Sequence, residues 1–161
     1  MTNNEKIINS ILECDDPDKL RIWIANARRK QETGIADAAF RRLISLVPSE
    51  QPGTVEHDFW QTIQAFEFTL SDERGKTTRL SRTRQKVVRV GVIETLKDWA
   101  LSDKKTEGFE MLLERGMPEL TGEAIILRHP DKFDARVQAA ARERLTAAGI
   151  DVGKLPMSEN S

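Results

Sequence analysis

Between residues 74 and 89 the chain reads RGKTTRLSRTRQKVVR, seven Lys or Arg with no Asp or Glu among them. Guanidinium and ammonium groups at this density bind anions, and the planar fork of Arg matches phosphate or carboxylate better than Lys does. On a helix, with about 100° between successive residues, Arg79, Arg82, Lys86 and Arg89 lie along one side at spacings of three, four and three. They form a cationic ridge about 15 Å long. Leu80, Thr83 and Val87 fall on roughly the opposite side, where they can dock on a neighbour, and Arg84 sits at the border. Near the helix start, Lys76, Thr77, Thr78 and Ser81 add hydroxyls and free backbone N–H groups suited to phosphate oxygens.

A solvated helix face usually mixes signs, because like charges at i and i+4 repel by roughly a few tenths of a kcal/mol per pair. Arg82 and Lys86 hold that spacing with no acid between them, which points to an anion outside the segment. Nucleic acid fits best, since a phosphate repeat rewards a row of charges. The expected site is Arg74, Lys76, Arg79, Arg82, Arg84, Lys86 and Arg89, contacting the phosphate backbone with little sequence specificity. Gln85 and Arg84 are the only groove-facing candidates, and DNA and RNA are not distinguished. The alternative is a helical adaptor or homo-oligomer that sets the same ridge against acidic protein surfaces. In a purely structural reading, Glu56, Asp58 and Glu67 of the preceding helix fold back on the ridge and neutralise it.

Other chemistry finds little support. GKTT at residues 75–78 resembles the end of a phosphate-binding loop, but Leu70 stands where that motif needs its first glycine. Zinc needs about four clustered Cys or His ligands, and Cys14, His57 and His129 are far apart in sequence. His57, in a first helical turn between Glu56 and Asp58, is expected at the surface. His129, before Pro130, is expected to end a helix where imidazole suits the negative dipole end. Asp15 and Asp16 disfavour a thiolate at Cys14, and ECDDPD reads more simply as a helix stop and restart than as a cation site. A pocket gathering Glu119, Glu123, His129 and Asp131 would be needed for an enzyme, so the expectation is a binding protein without metal or cofactor. The basic helix lacks the Leu or aromatic anchors of a membrane-surface helix.

These residues must be positioned by helices, because almost every segment carries an apolar stripe at helical spacing. Asn3 or Asn4 is expected to cap a first helix, and Asp16 with Pro17 starts a second that runs to about Lys30. Ile35, Ala39, Phe40, Leu43 and Ile44 stripe a third, ended by Pro48. Ala36, Phe40, Leu43 and Pro48 are similar in spacing to the second helix of a tetratricopeptide repeat. Ile24 departs from the small residue that family packs there and no second copy follows, so the pair is read as an ordinary helical hairpin. SEQPGT is the clearest internal boundary. Thr54 then caps a long helix ended by Gly75, and the basic helix continues toward Trp99 with a bend near Gly91, beyond which Ile93, Leu96 and Ala100 take the side the ridge held. A helix from Pro118 to Arg128 and one capped by Asp134 and ending at Gly149 complete the series. These two could be drawn as a helix-turn-helix, but the second begins with an acid and is alanine-rich, which suits core packing. Trp23, Trp60 and Trp99 are assigned to the core.

The expected fold is all-α, about six to eight helices built from hairpins around one long central hairpin. A single domain spans residues 3–155, comprising a three-helix part (3–48), the central hairpin (54–100) and C-terminal helices (106–149), with a flexible tail at 156–161. The chain has 161 residues, 39% hydrophobic and 32% charged, enough to bury one core. Its net charge of −1 averages a block with no acids over 74–91 against acidic flanks, so the pI hides a strong local field. No apolar run is long enough to span a membrane, no export leader is visible in MTNNEKIINS, and the lone cysteine fits a reducing compartment, so the cytoplasm is expected.

Overall fold

A computed structural model describes residues 2–46 and 48–156, so the expected tail falls outside the described residues from 157 onward. Among the described residues there are eight α-helices, three short 3-10 turns and no strand. They form two compact units, Met1–Ser49 and Glu50–Ser161, whose boundary lies in SEQPGT.

The first unit holds α1 (Asn3–Glu13), α2 (Pro17–Arg29) and α3 (Thr33–Leu46). Thr2, not an asparagine, caps α1: its hydroxyl accepts the Glu5 N–H while the Glu5 carboxylate accepts the Thr2 N–H. The reciprocal pair satisfies two orphan donors where one Asn would satisfy one. Asp16 caps α2 and Pro17 opens it. Leu20, Ile24 and Ala27 of α2 and Ala39, Leu43 and Ile44 of α3 are buried as their stripes require. Arg42 fastens the α1–α2 turn, donating to the Cys14 carbonyl at 2.9 Å and to Asp15 at 2.8 Å.

The second unit begins with α4 (Val55–Arg74), capped by Thr54 and ended by Gly75 in the left-handed conformation at φ 68°. After a non-helical link, α5 runs Ser81–Leu101, then α6 Glu107–Glu114, α7 Gly122–Arg128 and α8 Ala135–Ala147. The helix expected from Pro118 is divided: residues 118–120 form a 3-10 turn, and Thr121 caps α7 by accepting the Ala124 N–H. Residues 122–127 are buried all round, so α7 is the central rod against which α4, α5 and α8 pack. Gly122 lets it approach closely, since a Cβ there would lie 2.7 Å from the Trp99 ring. α8 buries Val137, Ala141 and Leu145 and serves packing, as its alanine-rich sequence implies.

α5 is two helical segments meeting at Gly91, whose φ of 89° and ψ of 170° are accessible in practice only to glycine. Val92, Thr95, Leu96 and Ala100 beyond the bend are buried, whereas Val88 before it is 90% exposed. The bend thus separates a packed half from a half lying at the surface. Gly91→Ala is expected to destabilise the protein by about 1–3 kcal/mol, the usual cost of forcing a side chain into such a conformation. Urea unfolding measures it, and an unshifted midpoint would show that the bend does not depend on Gly91.

Candidate nucleic-acid interface

The basic segment takes its shape from one carboxylate on α4. Glu67 is only 8% exposed because it sits one turn after Ile63, on the buried stripe. Its Oε2 accepts the Leu80 N–H at 2.7 Å and the Arg84 Nε–H at 2.8 Å, and its Oε1 accepts from Arg84 Nη2 at 2.5 Å. The Arg84 guanidinium also lies over the Trp60 ring, 5.3 Å from its centroid. Ser71 of α4 holds the same link through its hydroxyl, which accepts the Thr78 N–H at 2.8 Å. Two N–H groups of residues 76–80 are therefore satisfied by α4 side chains, and the helix starts at Ser81 rather than just after Gly75.

This alters the expected ridge. Arg79, with Lys76, lies on the non-helical link and does not continue the helical row. Arg84 is no border cation; it is the partner of Glu67. Lys86 turns across the Gly91 bend to Asp98, Nζ to Oδ2 at 2.6 Å. On the first half of α5, Arg82, Gln85 and Arg89 share one exposed stripe at spacings of three and four, and Ser81, Val88 and Val90 are exposed as well. Leu80, Thr83 and Val87 are half-buried on the other side, as their pattern requires. Arg74, at the end of α4, is exposed. Among the described residues no ion pair within 4.0 Å engages Arg74, Lys76, Arg79, Arg82 or Arg89. Of the two groove-facing candidates, Gln85 is presented and Arg84 is not.

Glu67 carries its negative charge despite burial. Desolvation pushes its carboxyl upward, but the hydrogen bonds from Arg84 and Leu80 and the charges of Arg84 and Arg79 outweigh it and hold the group below its ordinary value. Sequence reasoning considered Glu67 as a partner of the ridge but missed its other role, as the anchor of the link. Its position on an apolar stripe was the available signal.

The residues considered for catalysis do not form one site. Asp58 Oδ2 meets His129 Nε2 at 2.7 Å and Arg128 Nε at 3.4 Å, while Arg128 Nη1 donates to the Glu119 carbonyl at 2.7 Å. Burial raises the Asp58 carboxyl, yet the His129 hydrogen bond and the Arg128 and His129 charges bring it below its ordinary value. His57 is 7% exposed rather than at the surface. Glu123 belongs to a different cluster, 3.5 Å from Arg144, whose guanidinium donates to the carbonyls of Trp99 and Ser102 at the end of α5. Burial raises the Glu123 carboxyl, and its own backbone hydrogen bond and the Arg144 charge only partly oppose this. Glu123 on α7 and His129 just after its end thus serve separate polar contacts, and Asp131 is exposed. Among the described residues no group of three or more His, Cys, Asp or Glu could hold a metal ion. No helix among them is long and apolar enough to cross a membrane.

Comparison of the chain with protein-family models, with curated proteins and with solved structures finds no match.

Because the Asp58 and Glu67 carboxyls lie below their ordinary values, their contribution to stability is full above about pH 4–5 and is lost as the pH falls through the folded-state values. Glu123 acts in the opposite sense, favouring the folded state more when protonated. Glu67→Gln is expected to cost about 2–3 kcal/mol at pH 7, by leaving Arg84 without its counter-charge. That difference should shrink as the pH is lowered. Urea midpoints for both proteins at pH 7 and pH 3 measure this, and an equal difference at both pH values would show that the Glu67 charge is not what stabilises the link.

Proposed function

We propose that this protein is a non-enzymatic nucleic-acid-binding protein that contacts the phosphate backbone through Arg74, Lys76, Arg79, Arg82 and Arg89. The observation that carries the reading is the division of labour among the seven cations. Arg84 and Lys86 are neutralised by acids of the fold, and the other five have no ion pair among the described residues. Arg82 and Arg89 share an exposed stripe with Gln85, and Lys76 and Arg79 extend the positive surface along the link. Five cations with no ion pair within 4.0 Å among the described residues keep their capacity to displace counterions from a phosphate chain, and the near-neutral total charge confines that capacity to this surface. Of the two groove-facing candidates only Gln85 is exposed, which favours contact with little sequence specificity.

Fluorescence anisotropy with labelled duplex DNA, single-stranded DNA and RNA over a range of salt concentrations tests the reading. Three to five phosphate contacts on a duplex give log K against log salt a slope of roughly −3 to −4.5. The combined variant Arg79→Ala, Arg82→Ala, Arg89→Ala should flatten that slope by about 3 while keeping its helical circular dichroism. Absence of binding to all three nucleic acids at low salt sinks the proposal.

A second reading rests on Val88, 90% exposed, and Val90, 41% exposed, beside Arg89. Apolar groups among cations suit an acidic protein surface or a second copy of the chain, as in a helical adaptor or homo-oligomer. Light scattering across a concentration series decides for self-association: a rising mass that Val88→Asp abolishes supports it, and a constant monomer mass removes it.

A further inference from the structure

Directly beside the cationic link, the second unit opens a pocket of about 130 Å³ walled by Phe66, Leu70, Trp99 and Met111, with Leu80, Thr83, Thr106 and Glu107 toward its rim. We infer that this pocket receives one unstacked pyrimidine base of a single-stranded nucleic acid whose flanking phosphates lie on Arg79 and Arg82. The inference rests on the phosphate-binding reading above and names the form of nucleic acid it selects.

The size of the pocket sets the first limit. The pocket's 130 Å³ is close to the apolar cavity of about 150 Å³ that holds one benzene ring, so it suits a single six-membered ring better than the fused rings of a purine. The walls set the second. Trp99 and Phe66, with centroids 6.3 Å apart and planes inclined by 54°, offer aromatic surface to a base, and Met111 adds a polarizable sulfur. An aliphatic ligand would use neither preference.

The rim sets the third. The Thr83 hydroxyl has no hydrogen bond to another residue among those described, and Thr106, whose oxygen accepts the Phe109 N–H at 3.1 Å, keeps its own proton to donate. Glu107 supplies an exposed acceptor that an exocyclic amino group satisfies and a phosphate avoids. Donors and an acceptor around an aromatic slot match the edge of a pyrimidine, cytosine above all.

Charge complementarity supplies the rest. Leu80 and Thr83 of the rim are the chain neighbours of Arg79 and Arg82, two exposed cations, so positive charge is carried by residues flanking those at the mouth. A ring entering the pocket would bring its flanking phosphates toward two cations that have no ion pair within 4.0 Å among the described residues. A duplex cannot use the pocket, because its bases are paired and stacked.

The test is anisotropy at one low salt concentration with labelled dC12, dT12, dA12 and a mixed-sequence duplex of equal length. The expected result is that dC12 and dT12 bind at least about fivefold more tightly than dA12 and the duplex, one base–aromatic contact's worth of discrimination. Thr83→Phe, which fills the mouth, should bring the ratio of dC12 to dA12 affinity near one. Equal affinity for all four probes, or a preference that survives Thr83→Phe in a folded protein, overturns the pocket inference and leaves the phosphate reading intact. No binding by any probe overturns both and leaves the protein-surface reading. Because the preference is read first on the wild-type chain, a variant that fails to fold does not spoil the test.

Discussion

The surface of the second unit is organised by a buried carboxylate that cannot be left alone. Glu67 lies on the core-facing stripe of α4, where an uncompensated charge would be costly, and it is satisfied by the Leu80 N–H and the Arg84 guanidinium. Meeting that requirement fixes where α5 begins, pins the link between the two helices, and removes one arginine from the surface. It also places Leu80 and Thr83 beside Phe66 and Leu70, which makes the pocket wall. The exposed cations take their positions from this contact, although none of them makes it.

The same logic recurs around α7. A rod buried on every side must have its few polar groups answered by neighbours, and they are. Asp58 on α4 receives His129 and Arg128 at the C-terminal end of α7, while Arg144 on α8 reaches Glu123 and covers two carbonyls at the end of α5. These contacts cross between helices far apart in sequence, so they tie α4, α5, α7 and α8 together. They engage Glu123 and His129, two of the four residues that a catalytic pocket was expected to gather, in separate contacts.

Bending α5 at Gly91 separates packing from exposure. The half beyond the bend is held against α7 and α8, and the half before it keeps Arg82, Gln85, Val88 and Arg89 at the surface. A straight helix would have carried the charged side of the first half into the core with the second. Trp60 and Trp99, assigned to the core by their stripes, are half-buried for related reasons. One ring is covered by the Arg84 guanidinium and the other forms a pocket wall.

Local features were legible because local physics fixes them. The apolar stripes, Thr54, Asp16 with Pro17, the left-handed Gly75, Asp134 and the bend at Gly91 all follow from residues within one or two turns of each other. Boundaries set by hydroxyl caps were harder: Thr2 and Thr121 won over the residues expected because each completes a hydrogen bond that counting apolar positions does not reveal. The candidate site was legible as a concentration of charge, and as an exposed stripe containing Arg82 and Arg89. Which cations are spent inside the fold was not, because Arg84 with Glu67 and Lys86 with Asp98 are pairs joined only by the return of the chain. Periodicity reports which face of a helix is apolar; it carries no information about which partner faces it across a hairpin. The sequence by itself determined an all-helical chain with one dense cationic segment, and only the tertiary structure decided which of those charges are neutralised, since that depends on distances between side chains far apart along the chain.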